Sequence, residues 1–305
     1  MSRLLPVVSA VALLLAACGT PSSGTPAGAV AAAYPLAWLV TEIAPDMEVT
    51  SLATGGQDPH DLELTPRQRA TIETAGLVVY LGDIGFQPQV EAAIPEAQGQ
   101  VVDASKVLGD AMQPISDGHG DAHGDDDDHE SAVDPHFWFD AALMARVATA
   151  IGNAAATANP SAAETYRANA DDVASQLDDL AGEITALLSD CTHRTVVVSH
   201  EAYQYLLEPA GLEQHGVSSA AGHSGASPQG IAQLADEIRD NNLPAVLTEP
   251  VEGRTDAEAV AAEAGVDLIE IYSLDVVDDE QAAKGFPALL REQAAAVAEA
   301  AACGT

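Results

Sequence analysis

Residues 162–188 read AAETYRANADDVASQLDDLAGEITALL. Tyr166, Val173, Leu177, Leu180, Ile184 and Leu188 recur at spacings of three, four and seven, so they share one face of an α-helix. Asn159-Pro160-Ser161 breaks the chain just ahead of it. About 27 residues at 1.5 Å each span roughly 40 Å. That is longer than most globular helices and long enough to cross from one lobe to another. We read it as a connector. The fold class is then α/β: two α/β lobes joined by a long rigid helix, with a cleft between them.

Strands and helices alternate on both sides of this helix. Ahead of it, residues 34–45 begin the folded part with an early helix carrying Trp38 and Leu39. Met47-Glu48-Val49-Thr50-Ser51-Leu52 alternates like a strand and runs into Gly55-Gly56-Gln57-Asp58-Pro59-His60, where glycines and a proline end it. Thr65-Pro66 opens a helix, with Thr as cap and Pro at the first position. Leu77 to Gly82 is an apolar run that suits a buried parallel strand. Phe86 to Ile94 reads as helix, Val101-Val102 as a short strand, and a helix follows Asp140 to about Thr157. Beyond the connector, Thr195-Val196-Val197-Val198 is a strand that delivers Ser199 and His200. Pro244 to Thr248 ends at Glu249-Pro250, and Val266 to Tyr272 ends near Asp275. Ser227-Pro228, Thr255 and Phe286 open the remaining helices.

Asp134-Pro135-His136-Phe137-Trp138-Phe139-Asp140 puts one histidine at the head of an apolar run. His60, His200 and Asp275 stand in comparable places, at the ends of predicted strands. Three imidazoles and one carboxylate make a good tetrahedral zinc site. No two of the four lie within 60 residues of each other, so only folding can assemble them. His193, His215 and His223 lack that setting and read as a helix-end residue and two loop residues. Residues 117–130 hold three histidines (His119, His123, His129) and seven acids, with no apolar residue larger than Ala. Such a stretch buries nothing and is expected to be a mobile loop that captures metal weakly.

The chain has 305 residues, 47% of them hydrophobic and 19% charged, which is enough for two lobes with a real core. Its formal net charge of −36 argues against nucleic acid, whose phosphates it would repel. Most of that charge is read as adaptation to salt or solubility. Arg3 precedes an apolar run from Leu4 to Leu15, too short to span a bilayer, and Leu15-Ala16-Ala17-Cys18 resembles a bacterial lipobox. That resemblance implies cleavage before Cys18 and lipid on its sulfur. Cys191 and Cys303 are then left as a pair in an oxidising compartment, where a disulfide between them is expected. The expected organisation is a signal peptide at 1–17 and a lipidated tether at 18–33. An N-terminal lobe at 34–160 carries the 117–130 loop, followed by a connecting helix at 161–189 and a C-terminal lobe at 190–305.

Taken in order, Gln57-Asp58-Pro59-His60, the His/Asp-rich loop, Asp134 to Trp138, the long helix, Ser199-His200-Glu201-Ala202-Tyr203, Glu249-Pro250 and Leu274-Asp275 resemble the zinc-binding solute-binding lipoproteins of bacterial ABC importers. The resemblance covers nearly all of the mature chain. It implies Zn2+ in the inter-lobe cleft on His60, His136, His200 and Asp275, and a permease partner. It also implies an extracytoplasmic location, held to the cell membrane by lipid. Two departures stand out. Gly225-Ala226-Ser227-Pro228 replaces the family's Glu-Pro-Ser-Pro, and Val276-Val277 replaces Pro-Leu after Asp275.

Manganese-binding members of the same family resemble this chain but carry Glu where His200 stands, and imidazole favours zinc over manganese. A lipid-anchored metal store or adhesin without a transport role is a further alternative. An enzyme is disfavoured. His200-Glu201 resembles the start of the zinc-protease motif, but Gln204 takes the place of its second histidine. Gly222-His223-Ser224-Gly225-Ala226 has no strand before it and lacks the final glycine of a nucleophile elbow.

Overall fold

The computed structural model describes residues 28–54, 59–60, 62–115, 133–218, 227–250 and 253–304. Cys18, the loop histidines His119, His123 and His129, and His223 lie outside the described residues. The first half contains β1 (Ala29–Ala31), α1 (Tyr34–Ile43), β2 (Val49–Ser51), α2 (Pro66–Thr74), β3 (Leu77–Tyr80), α3 (Pro88–Ala93), β4 (Gln100–Asp103) and α4 (Ala104–Leu108). Two long helices follow, α5 (Ala141–Ala158) and α6 (Ala163–Leu187). The second half contains β5 (Thr195–His200), α7 (Gln204–Leu207), β6 (Glu213–Ser218), α8 (Pro228–Asn241), β7 (Ala245–Thr248), α9 (Arg254–Ala264), β8 (Asp267–Glu270), α10 (Asp279–Lys284) and α11 (Phe286–Ala300).

Each half builds one four-stranded sheet, in the orders β2-β1-β3-β4 and β6-β5-β7-β8. All pairings are parallel. The order reverses between β1 and β3 in one sheet and between β5 and β7 in the other. In open parallel sheets the crevice at such a reversal, beyond the carboxyl ends of the strands, is where ligands collect. His200 is the last residue of β5, and Glu249 directly follows β7.

The helices start where side chains can take the free N–H groups of their first turns. Thr65 and Gln68 form a reciprocal capping box on α2, with Pro66 in the first turn. Asp140 caps α5, its Oδ1 accepting from the N–H groups of Ala142 at 2.8 Å and Leu143 at 3.2 Å. The buried stripe of α6 is Tyr166, Ala170, Val173, Leu177, Leu180 and Ile184, the apolar face its sequence predicts. Where α6 crosses α5, a Cβ added to Gly152 would lie 2.4 Å from the Ala170 methyl group, so only glycine allows this approach. Cys191, just past α6, is disulfide-bonded to Cys303, just past α11. The long helix and the last helix are thus joined at one end, as expected.

One large core runs through both halves. Val196, Val198 and Leu247 belong to it, together with residues of the first sheet, α5, α6 and α11. Their strand neighbours Val197 and Val246 point the other way, into a smaller cluster with Leu234, Ile238 and Val260 of α8 and α9. That alternation is the period-2 geometry of a strand buried on both faces.

Two expectations need correction. The fold begins before residue 34: residues 29–33, read as the end of the tether, are almost wholly buried, and β1 is an inner strand of its sheet. His215 is not in a loop but on β6, where its Nδ1 pairs with Glu237. The short helix α10 was not anticipated.

Candidate metal centre

His60, His136 and His200 come together. Each offers a ring nitrogen, and the three nitrogens lie within 4.8 Å of one another. The ring centroids are 5.5 Å apart for His60 and His136, 5.8 Å for His60 and His200, and 5.0 Å for His136 and His200. His60 comes from the segment after β2. Just beyond it Leu62 and Leu64 are buried, and the Leu64 N–H donates to Gln89 Oε1 at 3.0 Å. His136 opens the single 3-10 turn Phe137–Phe139 that leads into α5. His200 comes from β5, and the turn after it is pinned to β6. Gln214 accepts from the Tyr203 N–H at 2.9 Å and donates to the Glu201 carbonyl at 3.0 Å.

Two of the three imidazoles are oriented by carboxylates. Asp134 Oδ1 accepts from the backbone N–H of His136 at 2.9 Å and lies 2.8 Å from its Nδ1. An oxygen already accepting one N–H accepts a second from Nδ1, which leaves the Nε2 lone pair for a ligand. His136 Nε2 is buried and has no hydrogen-bond partner among the described residues. Glu249 Oε1 lies 3.1 Å from His200 Nδ1 and accepts from the Tyr203 hydroxyl at 2.8 Å. The Glu249 N–H in turn donates to Ser199 Oγ at 2.9 Å.

Aromatic rings wall the cluster. Phe86 meets His60 edge-on at 4.9 Å, and Trp138 meets His136 edge-on at 5.3 Å. In this water-poor setting the ionisations shift. Burial, and then the charge of His200, push His136 well below 6.5, against the pull of Glu249. Burial pushes Asp134 up to about 7, against the backbone N–H of His136 and the charge of His200. Burial alone would raise Glu249, but the bonds from His200 and Tyr203, with the charges of His200 and His136, hold it below its ordinary value. A neutral imidazole is the form that binds a metal, so the site holds His136 ready.

Asp275 is placed differently. It does not belong to the group whose ligand atoms all lie within 4.8 Å. Its Oδ1 accepts from Ser273 Oγ and from the Val276 N–H, both at 2.8 Å, and Oδ2 makes no hydrogen bond among the described residues. It is buried near enough to Glu249 and His200 to feel both. Burial, then Glu249, push it up to about 6, against Ser273, His200 and Val276.

The model of the family described as "Zinc-uptake complex component A periplasmic" matches residues 29–300. The chain belongs to that family. It is 25% identical over 289 residues to the high-affinity zinc uptake system protein ZnuA of Bacillus subtilis (strain 168), covering 92% of this chain and 90% of that protein. It is also 25% identical over 279 residues to the manganese-binding lipoprotein MntA of Halalkalibacterium halodurans, covering 88% of this chain and 87% of that one. A crystal structure of ZnuA matches with a TM-score of 0.75 at 23% identity, over 90% of this chain and 99% of that chain, which shows the shared two-lobed fold. Members of this family are periplasmic solute-binding components of metal importers, and the chain is accordingly a metal-binding solute-binding protein and not an enzyme.

Sequence reasoning passed over the roles of Asp134 and Glu249. The signal for Asp134 was present, since a carboxylate two residues before a histidine can reach back to its Nδ1. Glu249 was quoted only as the end of a strand. Its partner His200 is 49 residues away, and only the adjacency of β5 and β7 reveals the pair.

Proposed function

We propose that this protein captures one Zn2+ through the Nε2 atoms of His60, His136 and His200, with Asp275 as the fourth ligand, and delivers it to the permease of an ABC importer. The observation that carries this reading is the buried cluster of three ring nitrogens within 4.8 Å. The free Oδ2 of Asp275, and the position of Asp275 beside His200 and Glu249, support it as the fourth ligand. Three imidazoles and one carboxylate suit zinc, whereas manganese prefers oxygen-rich sites. One relative is named as a manganese-binding lipoprotein, and that favours the manganese reading. The imidazole at position 200 argues against it.

Lipid on Cys18 would hold the protein beside its permease, on the outer side of the cell membrane. The lipobox-like Leu15-Ala16-Ala17-Cys18 supports this. The 117–130 loop, with His119, His123 and His129, would gather metal weakly and pass it to the cleft. Its flanks meet in an antiparallel bridge between Pro114 and Val133, one residue before Asp134. Metal analysis of protein purified without added metal, followed by competition titration of wild type and His200→Ala, tests the assignment. One tight zinc in the wild type and its loss in the variant are expected. Unchanged tight binding in the variant would refute the three-imidazole site.

A further inference from the structure

Asp275 ends a segment that the other lobe holds from two directions. The Trp138 indole Nε1–H donates to the Ser273 carbonyl at 2.7 Å. The Tyr34 N–H, at the start of α1, donates to the Asp275 carbonyl at 2.8 Å. Between these two fixed carbonyls sits Leu274, wholly buried and with a φ of 63°. A left-handed backbone at a bulky, non-glycine residue persists only where its surroundings over-determine it, and such outliers gather at ligand sites. Ser273 also uses its hydroxyl to hold Asp275 Oδ1. The indole that grips Ser273 is itself fully buried and packs edge-on against His136, with Phe86 at 6.1 Å on another side. One side chain therefore touches a ligand ring of the first lobe and the backbone that carries a carboxylate of the second.

We propose that Trp138 is a positioning residue that joins the two halves of the metal site, holding the Ser273–Asp275 segment so that the Asp275 carboxylate is available to the ion. This rests on the reading of Asp275 as the fourth ligand. The covalent chain between Trp138 and Ser273 spans 135 residues, so this hydrogen bond is a direct cross-lobe link rather than a local turn. Its loss frees the Ser273 carbonyl and releases Leu274 from its left-handed conformation. Asp275 then reaches the ion only part of the time, and the ion leaves sooner.

The test is a cycle of Trp138→Phe and Asp275→Asn, with Zn2+ as probe and a chelator as competitor. Phenylalanine keeps an aromatic ring beside His136 but loses the N–H donor and part of the buried indole volume, so the D275N background is what separates the lost donor from the cavity. Alone, W138F is expected to weaken zinc by about ten- to a hundredfold, the usual effect of losing an outer partner of a ligand, through faster release. In the D275N background it should add little. If W138F costs the same in both backgrounds, Trp138 acts through His136 or the fold at large and the proposal fails, while Asp275 remains a ligand. If D275N alone leaves affinity unchanged, the reading of Asp275 falls and the proposal with it. A second measurement needs no variant: the chain has two tryptophans, so the indole N–H signal of Trp138 can be followed in the wild type. Its exchange with solvent should slow when zinc binds. Equal exchange with and without zinc would overturn the link.

Discussion

Replacing Glu249 by glutamine tests whether the buried carboxylate behind His200 contributes to metal affinity. Glu249 is only 6% exposed, and its Oε1 is shared by His200 Nδ1 and the Tyr203 hydroxyl. Burial opposes its charge, yet those contacts hold its pKa below the ordinary value, so it is ionised at neutral pH. A bound dication would stand about 7 Å from it, one imidazole ring plus a metal–nitrogen bond of about 2 Å away. At an effective dielectric constant of about 20, the gross attraction across that distance is about 5 kcal/mol. Glutamine removes this attraction but keeps an oxygen that can accept from Nδ1, so the ring can still present Nε2. Relaxation and screening leave part of the gross figure, and losing an outer partner of a ligand usually costs about ten- to a hundredfold in affinity. That is about 1.4–2.7 kcal/mol. Competition titration with a zinc chelator at pH 7.5 measures it. A Glu249→Gln variant that binds zinc as tightly as the parent would refute the argument. Tyr203→Phe, which keeps the charge and loses one neutral donor, should cost less, about 0.5–1.5 kcal/mol.

Three other outcomes are expected. Replacing Cys191 and Cys303 together by serine opens a loop of 112 residues, and chain entropy sets the loss of stability at up to about 5 kcal/mol. Denaturant unfolding would show that loss, while zinc affinity should stay put, because the bond lies before β5 and the site at its far end. Zinc binding near pH 6 should release protons. Asp275 and Asp134, raised to about 6 and about 7, stabilise the metal-free fold when protonated and lose that contribution as the pH rises through those values. His136, held well below 6.5, acts in the opposite sense, so the fold loses stability as the pH falls below 6.5. Calorimetry in buffers of different ionisation enthalpy should show release at pH 6 that fades by pH 8, and an unchanging proton count would contradict the shifts. Deleting residues 117–130 should remove weak zinc equivalents in equilibrium dialysis and slow loading, yet leave the single tight site. Losing the tight site would mean that the loop supplies a principal ligand.

Much of the fold was legible where side chains carry a strong period. The stripe from Tyr166 to Ile184 set the long helix, the valines of β5 announced a strand, and the apolar run from Leu77 announced a buried parallel one. His200 could be chosen because it ends a strand, where parallel sheets open their crevices, whereas His136, read at the head of an apolar run, opens a 3-10 turn instead. Other parts left little trace. β1 is Ala29-Val30-Ala31, and alanine has no marked preference for strands. Only its neighbours on both sides make it an inner strand. β6 reads Glu-Gln-His-Gly-Val-Ser, a polar edge strand that looks like a loop. The carboxylate behind His200 and the left-handed Leu274 depend on contacts between distant segments, which no local pattern encodes.

The central claim is that three imidazoles hold the ion. X-ray absorption at the zinc edge, on protein loaded with one equivalent, counts them directly. The account predicts four light-atom ligands near 2.0–2.1 Å, with the multiple-scattering signature of three imidazoles and one oxygen. A spectrum with two imidazoles or fewer, or a shell of six oxygens, would contradict it.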